Sequence, residues 1–122
     1  MLTEELQNAA RTLGEAMYND ESVQKYLKAQ VDCEANPEAA NLEKRMLSMY
    51  DELISRQQRG ESLSRSEIDT FNTLKKQVYQ DPHIAERESA LGLVKQTFVD
   101  IAENLNFPLG LEFATLALTH NV

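Results

Sequence analysis

Residues 81–105, DPHIAERESALGLVKQTFVDIAENL, decide the fold. The stretch opens on Asp81-Pro82. An Asx oxygen can accept from the free N–H groups of a helix start, and proline suits the first helical position. Behind that start Leu91, Val94, Phe98, Ile101 and Leu105 are separated by 3, 4, 3 and 4 residues. Such steps place the side chains on one stripe, and their 3.5 average suits near-antiparallel helix packing. The spacing predicts a helix over 82–105, roughly 35 Å long.

The same grammar recurs on either side. Asn36-Pro37 repeats the Asx–proline start, and Leu42, Met46, Met49 and Leu53 extend a helix over 37–59. Gly60 is a natural stop for it. Ser64-Arg65-Ser66-Glu67 fits a capping box, with Ile68, Phe71, Leu74 and Val78 behind it, so a fourth helix is expected over 65–79. Leu2, Leu6, Ala9, Leu13 and Ala16 mark the first helix, and Val23, Tyr26, Leu27 and Val31 a second over 21–35. Starts at Thr3 and near Asp20 to Ser22 are less sharply marked. No useful window alternates as a strand would. The fold class expected is all-α: a mostly antiparallel bundle of about five helices, two of them long, that oligomerises. Residues 56–67 are polar and are expected to form its one flexible turn.

The end of the chain is different. Pro108 and Gly110 interrupt the fifth helix, yet 106–118 holds Phe107, Leu109, Leu111, Phe113, Leu116 and Leu118. A disordered terminus would be polar. The organisation expected is a helical domain over 1–105 and an apolar segment over 106–122 that packs on the bundle or on a second subunit. Large exposed apolar patches mark contact surfaces. The candidate interface therefore comprises Leu91, Val94, Phe98, Ile101, Leu105, Leu109, Leu111, Phe113 and Leu116.

Composition narrows the function. The 122 residues carry 20 acids against 12 bases, a formal charge of −8. That balance opposes a sequence-independent grip on phosphate backbones and docking to anionic membrane. The excess sits at the two ends, with eight acids and three bases in 1–40 and six and two in 81–122. The middle, 41–80, is nearly neutral, and its Lys44, Arg45, Arg56, Arg59, Arg65, Lys75 and Lys76 lack interleaved aromatics, so direct nucleic-acid binding is not expected. A weak RNA contact through 44–76 is the minor alternative to a solvated helix face. No apolar run approaches the ~20 residues of a membrane span. The acidic start has no leader pattern, and a lone cysteine fits a reducing compartment, so a cytoplasmic protein is expected.

No catalytic constellation emerges. His83 and Glu86 stand one turn apart, but a di-metal bundle site needs two such pairs and further glutamates, and His120 is the only other histidine. Cys33 lies between Asp32 and Glu34, carboxylates that should raise its pKa and work against a reactive thiolate. It is read as a small core hydrophobe, with a metal- or redox-responsive role for Cys33 and the histidines as the alternative. Met46 and Met49 are read as core. The residues call for no cofactor and no metal.

Taken in order, several phrases resemble the YlbF/YmcA/YheA family of small bacterial helical proteins. They are Tyr26-Leu27-Lys28-Ala29, then Asn36-Pro37-Glu38-Ala39, Gln57-Gln58-Arg59-Gly60 and Asp81-Pro82-His83-Ile84 with Glu88 and Leu91. The closing phrase is Leu109-Gly110-Leu111-Glu112-Phe113. The resemblance implies a helical bundle that forms homodimers or higher homo-oligomers and has no enzymatic activity. It further implies regulators that form a hetero-complex with related regulators and a third protein. That complex influences competence, sporulation and biofilm formation and modulates a membrane-anchored ribonuclease in mRNA processing. Relatives in it are associated with iron–sulfur clusters through cysteines, some late in the chain. No cysteine follows Cys33 here, so no cluster is carried over.

Overall fold

Capping chemistry sets the helix boundaries throughout the computed structural model, which describes residues 1–118. Thr3 Oγ1 accepts from the Leu6 amide and starts α1, Glu4–Tyr18. Asp20 accepts from the backbone and hydroxyl of Ser22 and starts α2, Glu21–Ala35. The two bonds from Ser22 hold the Asp20 carboxyl below the usual range. Asn36 accepts from the Ala39 amide, with Pro37 in the first position of α3, Pro37–Gln58. Ser64 and Glu67 close both halves of the expected capping box at α4, Arg65–Gln80. Asp81 Oδ1 accepts from His83 and Ile84 at 3.0 and 3.1 Å and opens α5, Pro82–Leu109. A short α6 comes last, Phe113–Leu118. The chain is all-α, with no strand among the described residues.

Three boundaries differ from expectation. α5 does not stop at 105: it runs through Pro108 to Leu109. Proline removes the bond its missing N–H would make and crowds the carbonyl one turn before it. Because Pro108 lies in the last turn, that loss does not propagate, and Gly110 N–H still reaches the Asn106 carbonyl at 2.8 Å. Gly110, at φ +70°, is what ends the helix. Secondly, the apolar tail folds into a sixth helix. Lastly, the turn between α3 and α4 is narrower than 56–67. Gly60, at φ +79°, stops α3, while Arg56 and Glu67 lie on the helices either side.

Contacts divide the chain into two units. Residues 27–89 form one around the α3–α4 hairpin. Arg56 meets Glu67, Tyr50 meets Phe71 at a ring-centroid distance of 6.0 Å, and Ala39 shares a core with Val78. Numbers that fall on α3 as they rise on α4 make this pair antiparallel. Its core is Cys33, Ala39, Val78 and Ile84, with Leu42 and Met46 half-buried against it. Met46 is thus placed as expected, and the half-buried Met49 lies on the same helix. The other unit comprises residues 1–26 and the chain from Ala90 onward. In it Ser22 and Thr97 share a hydroxyl contact at 3.0 Å, and only Ala90 and Val94 are buried apolar side chains among the described residues.

The Arg56–Glu67 pair ties the end of α3 to the capping box across the hairpin's turn. The guanidinium's hydrogen bond first, and then the Ser64 amide, hold the Glu67 carboxyl at about 2, below its ordinary 4.5. A depressed carboxyl stabilises the fold above its unfolded pKa, and that stabilisation is lost as pH falls through the folded one. Urea midpoints should therefore drop between pH 4.5 and 2, and drop less in Glu67→Gln. Ser64→Ala should cost about 1 kcal/mol through the lost cap. A pH profile unchanged by Glu67→Gln would contradict this role.

Candidate interaction surface

The nine candidate interface residues all fall in the unit built from the two ends of the chain, and the structure grades them along α5. Val94 is 6% exposed and belongs to the protomer's own interior. Leu91, Ile101 and Leu105 are half-buried. Phe98, Leu109, Leu111, Phe113 and Leu116 are exposed. The stripe thus enters the fold at Val94 and emerges from it toward the end of α5. Phe107, which lies off the stripe, is 93% exposed.

Asn106 orders this emerging end. Its Oδ1 accepts from the Phe113 amide at 2.6 Å, capping the start of α6, and its Nδ2 donates to Glu112 at 2.9 Å. One side chain therefore holds the Gly110 turn and fixes how Leu109, Leu111 and Phe113 are displayed. Sequence reading passed over Asn106, although an Asn seven residues before a helix-compatible Phe-Ala-Thr-Leu run was a visible cue.

The second feature missed is a polar cluster around the lone cysteine, within 27–89. Arg87 donates to both carboxylate oxygens of Glu43, at 2.8 and 2.5 Å, and to Glu88 at 2.8 Å. Its Nη1 also lies 3.7 Å from Cys33 Sγ, with Glu43 at 3.9 Å. Cys33 is 1% exposed, consistent with a small core hydrophobe. Its thiol is raised above its ordinary range, foremost by burial, with Arg87 opposing and Glu43, Asp81 and Glu34 assisting. The expected direction holds, but desolvation rather than the sequence neighbours is its main cause. Glu43 and Arg87 lie 44 positions apart, so no local pattern announces the pair.

The remaining candidates are placed as follows. His83 is half-buried in the first turn of α5, beside Asp81. His120 lies outside the described residues. In the basic middle, Arg56 is engaged by Glu67 and Glu61, and Arg59 by Glu61 at 2.8 Å. Two of the cations that an RNA contact would use are therefore already neutralised by carboxylates. No helix among the described residues is long and apolar enough to cross a membrane.

Neither a curated protein nor a solved structure matches the chain. A family profile does. It covers 6–109 and so takes in α1 to α5, ending before most of the closing phrase from Leu109 to Phe113. The profile is described as control of competence regulator ComK, YlbF/YmcA, and over that span the chain belongs to this family of regulators.

Proposed function

We propose that this chain is a non-enzymatic regulatory adaptor of the cytoplasm, and that it works by protein–protein contact through the exposed end of α5 and the segment after it. The observation that carries this reading is the uncovered apolar surface of Phe98, Phe107, Leu109, Leu111 and Phe113, held in shape by Asn106. A surface of this kind marks a contact site, and it belongs to a family named for control of a competence regulator. Self-association into a homodimer or larger homo-oligomer is its first use. A hetero-complex with related regulators and a ribonuclease is the second, in keeping with the family's regulatory character.

Replacing Leu109 and Phe113 by aspartate together tests both uses. Both side chains are exposed in the protomer, so helicity by circular dichroism should be retained. Sedimentation mass should fall to the 13.9 kDa of one chain, and retention of a related regulator or ribonuclease on a tagged chain should be lost. An unaltered mass and unaltered retention with full helicity would overturn the proposal.

A further inference from the structure

We propose that the groove between α3 and α4 docks one amphipathic helix of another protein, with acids in its first turn and bases in its last. The site lies wholly within residues 27–89 and does not rest on the surface at the end of α5. Three open hollows, the largest about 540 Å³, share Met49 and join into one groove. Its apolar floor is Met49, Leu53 and Leu74. From Lys44 to Arg56 it follows α3 for about 18 Å, the length of about three helical turns. The α4 wall is built of Ser66, Thr70 and Thr73, all exposed. Both threonine hydroxyls already donate to carbonyls of α4 itself, at 2.8 and 2.9 Å. Small residues whose polar groups are satisfied let a third helix approach to the ~8–10 Å of ordinary helix packing.

Charge specifies the occupant. Lys44 and Arg45 line one end of the groove, and Glu52 and Asp69 line the stretch beyond. All four are exposed, and none makes an ion pair among the described residues. Arg56, farther along, is already held by Glu67. Ala39 with Val78 and Arg56 with Glu67 set the level of the antiparallel pair. Between those two points Asp69 falls level with Glu52, and Leu74 with Arg45. The groove thus has a cationic level and an anionic level, about 10 Å apart along α3. A partner helix matches it with acids over Lys44 and Arg45 and bases over Glu52 and Asp69. The backbone dipole favours that order, acids near the N-terminus and bases near the C-terminus. The partner therefore enters at Arg45 and runs parallel to α3. Of the six described helices only α3, itself a wall of the groove, carries a base in its last turn. That places the occupant in another protein.

The test uses the full chain and two helical peptides of about 14 residues, each with an alanine–leucine face. One carries a pair of glutamates in its first turn and a pair of lysines in its last, and the other exchanges them. By fluorescence anisotropy at low salt the first should bind about 10-fold tighter than the second. Sodium chloride at about 0.5 M should shrink that preference to under about 3-fold. Lys44→Glu, Arg45→Glu, Glu52→Lys and Asp69→Lys together keep the net charge and should reverse the preference, with helicity retained. Thr70→Trp, which fills the groove, should weaken both peptides at least about 10-fold. The chain with Leu109→Asp and Phe113→Asp should bind as the wild type does. Equal binding of the two peptides, or no binding of either, overturns the proposal. Binding that survives Thr70→Trp unaltered, or that is lost with Leu109→Asp and Phe113→Asp, overturns it too. A sedimentation mass that falls on Thr70→Trp would make a second copy the occupant and would also overturn it.

Discussion

Replacing Ile84 by alanine is expected to remove about 3–4 kcal/mol of stability, within the range seen when a large aliphatic core residue is truncated. Ile84 is fully buried, as are Ala39 and Val78, and Cys33 is nearly so. Ala39 offers no side chain that could swing into the space left behind. The cavity would therefore persist, and its cost adds to the lost transfer free energy. Ile84→Val should cost only about 0.5–1.5 kcal/mol. Since Ile84 and its neighbours lie within 27–89, the loss should appear in the unfolding transition of that unit. Hydrogen exchange resolved by residue, alongside urea melts, would check this. Equal protection losses in α1 and α4 would contradict so local an assignment.

Arg87→Ala is the second large effect, at about 2–4 kcal/mol. Removing one partner of a mostly buried ion pair leaves the other charge desolvated without compensation, which costs more than the pair contributes in the first place. Arg87 and Glu43 are 17% and 28% exposed at their side chains, so some water relieves the orphan and the fully buried limit is not reached. The guanidinium also stands against Cys33 and Glu88, so its loss frees three side chains at once. The double variant Arg87→Met with Glu43→Leu should be markedly more stable than the sum of the single losses. Neighbours in one network are not additive, and an apolar pair of similar volume leaves no orphaned charge. Additive losses in urea melts would show that the pair does not act as a unit.

Sequence alone carried the helix starts well, because capping is local chemistry. Asn36-Pro37, Asp81-Pro82 and the Ser64–Glu67 box each lie within four residues, and each makes the bonds its spacing implied. Pro108 misled because a proline's effect depends on its place in the helix. In the last turn, two residues before a glycine stop, its lost bond and crowded carbonyl are confined to the helix end, and α5 continues to Leu109. The candidate surface was legible as a stripe, but the side of it that the protomer covers was not. Periodicity gave Val94 and Leu109 equal standing, whereas the fold buries the first and exposes the second. α1 shows the same gap. Its stripe is as regular as any in the chain, and regularity does not reveal whether the covering surface is in the same molecule. The Arg87–Glu43–Cys33 cluster was illegible for a third reason, since it joins α2, α3 and α5 across long sequence separations.

The central claim is that the chain's apolar end is completed by another copy. Sedimentation equilibrium of the unmodified chain near neutral pH tests it most directly. A mass of at least twice 13.9 kDa, falling to one chain when Leu109 and Phe113 become aspartate, is the predicted result. A wild type that holds the mass of a single chain at high concentration, with its helicity intact, would contradict the account.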